Sequence, residues 1–204
     1  MKEPIVVNLF PSPVGVYELD RPYTDVETVQ FEEYCSEQEY NFGNTNSKNK
    51  YCLEHEAMSD IKKFCSDSID RYMVDVVASN AGACKVTQSW VNVSRRGQYH
   101  HRHSHPNSYL SGVLYFETSE NDKISFHNQR VTHLLPPIRD LNTFNSANWW
   151  IWAIQGTLVI FPSWQEHSVP EVKYERRVSL SFNTFLHGEI GSDAELTKLT
   201  LNHM

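Results

Sequence analysis

The sequence predicts a mainly β protein with flanking helices, in which a double-stranded β-helix (a cupin-like jelly roll) carries N-terminal helices packed on one sheet. Strand-like runs crowd the chain after Cys84, a helical pattern precedes it, and histidines follow glycine turns in a repeated rhythm. The 204 residues suffice for one domain with a core. We therefore expect a single domain, 1–204, with a strand and helical part, 1–83, and a jelly-roll core, 84–190.

The second half of the chain consists of short runs rich in β-branched and aromatic residues, which turn residues separate. Strands at this density are typical of an all-β sandwich or barrel. The predicted strands cover 85–94, 109–117, 122–127, 149–154, 157–161 and 176–185.

The first part of the chain predicts helices as well as strands. Apolar residues from 59 to 77 recur at spacings of three and four, which predicts a helix capped by Ser59 or Asp60. The other predictions are strand, turn and strand over 5–19, a short helix within 23–40, and an asparagine-rich loop over 41–50.

Composition and charge exclude several classes of protein. The aromatic content of 12% excludes a disordered tail, and the net charge of -7 argues against indiscriminate binding to a phosphate backbone. No run approaches ~18 apolar residues, and the N-terminus lacks the pattern of a secretion signal. We expect a soluble cytoplasmic protein whose cysteines are reduced, partly buried thiols: Cys35, Cys52, Cys65 and Cys84.

The histidines are unevenly distributed, since nine of the ten follow residue 99 and four fall between His100 and His105. His101, His103 and His105 alternate, so an extended chain would place them on one face, where an adjacent pair can grip one ion. The third ligand is predicted to be His167, in the turn-like segment 161–169.

The glycine spacing favours one pair among the three alternating histidines. Five residues separate Gly97 from His103, and Gly156 precedes His167 with a similar turn, strand and turn rhythm, which is typical of jelly-roll metal sites. The predicted ligands are therefore His103, His105 and His167, with His101 as an alternative for one of them.

An arginine follows His167, the last predicted ligand, at the start of the strand predicted over 176–185. Arg177, Ser179 and Asn183 share one side-chain parity, so they line one face of the strand. A planar guanidinium suits bidentate capture of a carboxylate, and the serine hydroxyl could bind the same group. Arg176, on the opposite face, is predicted to be a surface residue beside an acidic neighbour.

Four segments resemble the 2-oxoglutarate- and Fe(II)-dependent oxygenase superfamily, in particular its bacterial and phage branch. The resemblance covers nearly the whole chain, and the last two segments are its more specific part. The segments are Gln88-Ser-Trp-Val-Asn92, His103-Ser-His-Pro-Asn-Ser-Tyr-Leu-Ser-Gly-Val-Leu-Tyr115, Phe161-Pro-Ser-Trp-Gln-Glu-His167 and Arg177-Val-Ser-Leu-Ser-Phe-Asn183.

The resemblance implies a metal site of the form H-x-(D/E)…H. His103 then matches the first ligand, position 105 the carboxylate, and His167 the distal histidine. Position 105 is His in this chain, which leaves the ion more positive than a carboxylate would. The resemblance implies iron, whereas the ligand set alone leaves zinc or another divalent ion open.

The resemblance also implies that Fe(II), 2-oxoglutarate and O2 take part in the reaction. Arg177 would anchor the distal carboxylate of 2-oxoglutarate, with Ser179, Asn92 and Tyr115 as further contacts. Three polar residues in β-rich surroundings are candidates for the substrate mouth: Asn107, Ser111 and Asn183, although Asn107 also suits a turn after Pro106.

The leading hypothesis is therefore a 2-oxoglutarate-dependent dioxygenase that hydroxylates its substrate. One alternative is a three-histidine cupin-type metalloenzyme, a dioxygenase or a zinc hydrolase, which would not use 2-oxoglutarate. Another is a non-catalytic jelly roll. The prime substrate is open between a protein side chain, a nucleobase and a small molecule. The oligomeric state is open, with a homodimer as one candidate. We expect a location in the cytoplasm of a bacterial or phage-infected cell and no membrane partner.

Overall fold

Two antiparallel sheets form the framework of the protein, which a computed structural model describes for residues 3–129, 134 and 136–202. The larger sheet contains seven strands, in the order β1-β9-β6-β11-β4-β3-β2. These strands are β1 (Gly15–Glu18), β2 (Gln38–Asn41), β3 (Asn44–Ser47), β4 (Cys84–Arg95), β6 (Leu110–Glu117), β9 (Thr157–Pro162) and β11 (Arg176–Leu186).

The smaller sheet has four strands in the order β5-β10-β7-β8. They are β5 (His100–His103), β7 (Lys123–His127), β8 (Asn148–Trp152) and β10 (His167–Val169), and a separate hairpin joins β12 (Gly188–Ile190) to β13 (Leu199–Leu201). A cluster of buried side chains joins the two main sheets, with Val113 and Phe161 from the larger and Ile124 and Phe126 from the smaller. The jelly-roll fold with N-terminal helices is thus confirmed.

The alternation of side chains along β11 gives its two faces different roles. Val178, Leu180 and Phe182 are fully buried in the core under the helices. The intervening Arg177 and Ser179 face the smaller sheet and line a cavity between the sheets. One strand therefore builds the core on one side and polar chemistry on the other.

Two helices cover the outer face of the larger sheet: α1 (Asp25–Ser36) and α2 (Ser59–Asp75). A capping box begins α1, since Thr24 accepts from the Glu27 amide and the Glu27 carboxylate accepts from the Thr24 amide. The predicted helix over 59–77 is confirmed, but the predicted cap is wrong. Met58 is the N-cap residue and makes no side-chain bond, because a 3-10 turn over Glu56–Met58 leads directly into α2.

Two predictions for the first 50 residues are wrong. The expected loop over 41–50 forms the β2–β3 hairpin, because Thr45 and Asn46 pair with β4 and tertiary pairing outweighs the weak strand propensity of asparagine. Of the segment 5–19, only β1 is a strand, at the edge of the sheet beside β9. Three strands from before residue 84, β1, β2 and β3, join the larger sheet. The division of the domain into a part before residue 84 and a jelly-roll core after it stays a prediction.

The six strands predicted after Cys84 are confirmed as β4, β6, β7, β8, β9 and β11, with ends shifted by up to two residues. Sequence reasoning did not predict β10, which begins inside the segment expected to be a turn. All four cysteines are free thiols, and Cys35 alone among them is partly exposed. In the described part of the chain, no helix has the length and apolar character that crossing a bilayer requires.

The packing of the Phe182 ring over Gly112 in the larger sheet predicts a stability effect. Gly112 lies opposite Phe182, and a Cβ atom built on Gly112 would lie 2.1 Å from the Phe182 ring. We expect Gly112→Ala to lower the free energy of unfolding by about 1–3 kcal/mol in urea titrations, because the buried ring must shift. Adding Phe182→Leu should cost less in this background than in the wild type; additive losses would contradict the steric account.

Candidate metal centre

Three imidazoles meet between the sheets at one end of the sandwich. His103 ends β5 and His167 begins β10, and the two residues are paired directly across these strands. His105 lies two residues beyond β5, where its amide donates to the Ser163 carbonyl at 2.9 Å. One ring nitrogen from each of the three lies within 4.8 Å of the others. The structure thus brings together the three histidines that the sequence predicts as ligands.

Each of the three rings is held by a hydrogen bond from Nδ1 to an oxygen that carries no proton. Nδ1 must therefore hold the hydrogen, and the lone pair lies on Nε2, the tautomer that binds a metal. The acceptors are His101 O for His103 at 2.7 Å, Asn183 Oδ1 for His105 at 2.5 Å and Gln165 O for His167 at 3.1 Å.

Two residues predicted for the substrate mouth lie behind His105 instead. The Ser111 hydroxyl is 2.9 Å from His105 Nδ1 and donates to Asn183 Oδ1 at 2.9 Å, so both residues support this ring. The third candidate, Asn107, is exposed in a turn with a φ of 57°. Strand parity indicated a shared face, but it did not show that His105 would come between that face and the cavity.

Burial keeps the three imidazoles neutral. Burial lowers the pKa of His103 to about 4, despite its bond to the His101 carbonyl. It also lowers the pKa of His105 and of the deeply buried His167. Removing a cationic imidazolium from water is unfavourable, so the rings keep the neutral form that offers a lone pair.

A cavity extends from the three imidazoles along the inner face of the larger sheet to Arg177. Asn92, Ser179 and Ser181 line its polar side, and Ile124 and Val169 lie on the side of the smaller sheet. Asn92 and Ser179 lie opposite each other on β4 and β11, as their shared face requires. The metal centre and the predicted carboxylate anchor therefore belong to one cavity.

Arg177 is 3% exposed and uses only part of its guanidinium within the protein. Its Nε donates to Asp122 Oδ2 at 2.8 Å, and its Nη1 donates to the Ser179 hydroxyl at 3.3 Å. Among the described residues, no group accepts from Nη2. The edge formed by Nη1 and Nη2 therefore carries no carboxylate, although that edge matches a carboxylate in shape and charge.

Asp122 is a site residue that sequence reasoning missed. It is 8% exposed, lies in the turn before β7, and joins the smaller sheet to Arg177 on the larger one. Burial raises the pKa of its carboxyl, and the charge of Arg177 opposes that rise. In the sequence Asp122 is only an acidic residue at the start of a predicted strand. Nothing there indicates that its partner, Arg177, lies 55 residues further along the chain.

Tyr115 and Asn92, the other predicted contacts, differ in how far the protein already satisfies them. The Tyr115 side chain is fully buried and its hydroxyl has no partner in the described part of the chain. Burial raises the pKa of this phenol, which keeps it neutral and able to donate. Asn92 already donates to Ser181 Oγ at 2.9 Å and accepts from Trp90 Nε1 at 3.2 Å.

The unpartnered atoms provide a test of fit for a bound carboxylate. Arg177 Cζ lies 5.2 Å from the centre of the Tyr115 ring, so the guanidinium and this aromatic ring are neighbours. Buried donors without acceptors cost free energy, and a carboxylate would satisfy both groups. The residues present therefore fit a metal ion at one end of the cavity and a carboxylate at the other.

The part of the sequence that contains this site matches a known protein family. Residues 88–183 match the family described as "Putative 2OG-Fe(II) oxygenase". The match covers 96 of the 204 residues, and the whole candidate site lies within it. The matched range includes every ligand and carboxylate contact predicted from the sequence, from Asn92 to Ser179. The match indicates a 2OG-Fe(II) oxygenase, which is an oxidoreductase, and does not favour a metalloenzyme that does not use 2-oxoglutarate. No curated protein matches the chain in sequence.

Solved structures of oxygenases share the fold at low sequence identity. A prolyl-4-hydroxylase from Pseudomonas putida is 13% identical, with 87% of this chain and 94% of that chain covered and a TM-score of 0.61. A viral collagen prolyl hydroxylase from Paramecium Bursaria Chlorella virus-1 is 12% identical, covering 89% and 96%, with a TM-score of 0.55. HygX from Streptomyces hygroscopicus, solved with nickel, 2-oxoglutarate and hygromycin B, is 9% identical, covering 85% and 82%, with a TM-score of 0.55.

Removing one imidazole tests the metal centre. We expect His167→Ala to lose Co(II) or Fe(II) during desalting, because two imidazoles hold a cation less firmly than three. His127→Ala is the matched control, since His127 lies in the neighbouring strand and bonds to Ser168 Oγ, outside the cluster. Metal analysis after desalting should show the cation in the wild type and the control only. Equal retention in His167→Ala would contradict the assignment.

The lowered histidine pKa values predict that acid destabilises the metal-free protein. In the unfolded chain His103 binds a proton below about pH 6.5. In the folded protein its pKa is lowered to about 4, so it stays neutral until the pH falls that far. Stability is therefore highest above pH 6.5 and falls with pH through this window. Urea titrations with a chelator between pH 7 and pH 5, where most carboxyls stay ionised, should show a shallower fall for His103→Gln. Parallel curves would contradict the account.

Proposed function

We propose that this 2OG-Fe(II) oxygenase is a hydroxylase that binds Fe(II) through His103, His105 and His167 and 2-oxoglutarate through Arg177. One observation carries the proposal: a buried guanidinium with an unpaired edge shares a cavity with three imidazoles that have free lone pairs. The chemistry supplied by the bound iron and co-substrate is decarboxylation of 2-oxoglutarate to succinate and CO2, coupled to hydroxylation of the substrate with O2.

The three histidines would hold the ion from one side and leave positions open for the co-substrate and O2. Asn183 keeps the His105 ring in its binding orientation by accepting from Nδ1, and Ser111 holds the Asn183 oxygen by donating to it. The rings of Phe126 and Phe161 pack against His167, with centroids 6.4 and 4.7 Å away. These aromatic rings exclude water from the inner side of the centre.

Arg177 would bind the distal carboxylate through Nη1 and Nη2, because Asp122 already occupies Nε. The Tyr115 hydroxyl would donate to the same carboxylate, while Ser179 and Asn92 line the wall beside it. A single charge-assisted hydrogen bond contributes about 1.5–3 kcal/mol, so this anchor accounts for a large share of co-substrate affinity.

The charges of the proposed complex balance with histidine at position 105. Arg177 and Asp122 neutralise each other. The three imidazoles carry no charge, so the two negative charges of the co-substrate neutralise the two positive charges of the cation. A carboxylate at position 105 would add one uncompensated negative charge in a buried cavity, which is unfavourable. The buried Arg177–Asp122 pair thus makes the departure from the H-x-(D/E) pattern compatible with the same reaction.

The proposal keeps three classes of prime substrate: a protein side chain, a nucleobase and a small molecule. The fold neighbours include two prolyl hydroxylases and a protein solved with hygromycin B, and so include protein and small-molecule ligands. Homodimerisation and a cytoplasmic location stay predictions. A metalloenzyme that does not use 2-oxoglutarate would leave Arg177 Nη2 and the Tyr115 hydroxyl without a function.

Two adjacent arginines provide a matched test of co-substrate binding. We expect Arg177→Ala to weaken 2-oxoglutarate binding by roughly tenfold to a hundredfold, because charge-assisted hydrogen bonds are lost. Arg176→Ala should leave it unchanged, since Arg176 points away from the cavity and pairs with Glu32 and Glu117. The measurements are the charge-transfer band of the anaerobic Fe(II) and 2-oxoglutarate complex and the succinate formed in air.

The same experiment can overturn the proposal in two ways. If the wild type gives neither the band nor succinate, the chain does not use 2-oxoglutarate. If Arg177→Ala loses Fe(II) together with the co-substrate, Arg177 supports the fold rather than the carboxylate. Metal analysis of both arginine variants distinguishes these outcomes.

A further inference from the structure

A β-bulge in β5 places a fourth imidazole beside the metal centre. His103 pairs with His167 and His100 pairs with Val169, so three steps along β5 match two steps along β10. The additional residue resets the side-chain alternation, and His100 stacks on His103 with ring centroids 4.4 Å apart. His100 lines the same cavity, although residues three apart in a regular strand face opposite sides.

His101 completes a second cluster on the solvent side. Its ring centre lies 5.3 Å from that of His100 and 5.0 Å from that of His103. One ring nitrogen from each of these three histidines lies within 4.8 Å of the others, the same limit that the inner cluster meets. We call His103, His105 and His167 the inner trio, and His100, His101 and His103 the outer trio.

The β2–β3 hairpin packs against the outer trio and positions two of its rings. Phe42 contacts the edge of His101, with centroids 5.7 Å apart, and Asn41 Nδ2 lies 3.5 Å from His100 Nε2. The hairpin is fixed to this segment by the Tyr99 amide, which donates to the Gly43 carbonyl at 3.1 Å. The outer trio is therefore built by tertiary structure and is not a loose run of histidines.

We propose that the outer trio is a second binding site for a divalent transition-metal ion, which loads the inner trio. Imidazole ligands suit Fe(II), Co(II), Ni(II) and Zn(II). His101 is exposed, His100 and His103 are partly buried, and His167 is buried, so the ligands lead from solvent to the inner trio.

His103 makes the two sites alternatives. Its Nδ1 donates to the His101 carbonyl, which leaves only Nε2 for a cation. The ion therefore moves inward by exchanging His100 and His101 for His105 and His167 while it keeps His103. The exchange breaks and forms only bonds between the metal and imidazole nitrogens, so it requires no electron transfer.

The first experiment isolates the outer trio. Co(II) is titrated into His105→Ala/His167→Ala, which keeps only His103 of the inner trio, by equilibrium dialysis. We expect one weakly bound ion per chain, and we expect a further His101→Ala to weaken that binding by roughly tenfold or more. A further His127→Ala is the control and should have no effect. No binding above a chain that lacks all five histidines would overturn the proposal.

The second experiment uses an almost intact protein, in case the double variant does not fold. His101 is exposed, so His101→Ala should keep the wild-type fold. Stopped-flow mixing with Co(II), followed by its visible absorption, should show loading slowed by roughly tenfold, with the final affinity of the inner trio unchanged. An unchanged loading rate would overturn the proposal. Neither experiment contains 2-oxoglutarate, so failure here leaves the proposed hydroxylase function standing.

Discussion

The direct pairing of His103 with His167 is the interaction on which the metal centre depends. It links the last residue of β5 to the first residue of β10, and it brings together two positions that are 64 residues apart in the sequence. The backbone hydrogen bonds of the smaller sheet thus fix the separation of two proposed ligands. His105 then needs only a short extension beyond β5, held by the Ser163 carbonyl, to complete the inner trio.

The opposite end of the cavity depends on a buried ion pair. Arg177 belongs to the larger sheet and Asp122 to the smaller, so their contact ties the sheets together near the proposed co-substrate. A buried pair of this kind adds little net stability, but it fixes direction, and the direction decides which guanidinium edge faces the cavity. The jelly roll therefore holds three imidazoles and an unpaired guanidinium edge at a fixed separation, as the proposed reaction between iron and a dicarboxylate requires.

The sequence predicted the features that follow local rules. Alternation placed Arg177 and Ser179 on one face of β11, and the glycine rhythm selected His103 and His105 ahead of His101. Features that depend on distant pairing were missed. The hairpin over 38–47 forms because β4 offers it an edge, and β10 forms because β5 and β7 flank it.

The site residues follow the same division. Asp122 was missed because nothing local connects an acidic residue at a turn with an arginine in the other sheet. The position of His100 in the cavity was missed because the bulge in β5 changes the alternation of side chains from which a face is predicted. Ser111 and Asn183 were predicted to line the substrate mouth, and the arrangement of rings, which sequence does not specify, places them beside Nδ1 of His105.

The most direct test of the account is a crystal structure of the protein with Fe(II) and 2-oxoglutarate, prepared without oxygen. Anomalous scattering from the iron should place one ion on Nε2 of His103, His105 and His167, with a carboxylate of the co-substrate on Nη1 and Nη2 of Arg177. Iron bound elsewhere, or a co-substrate that leaves Arg177 without a carboxylate, would contradict it.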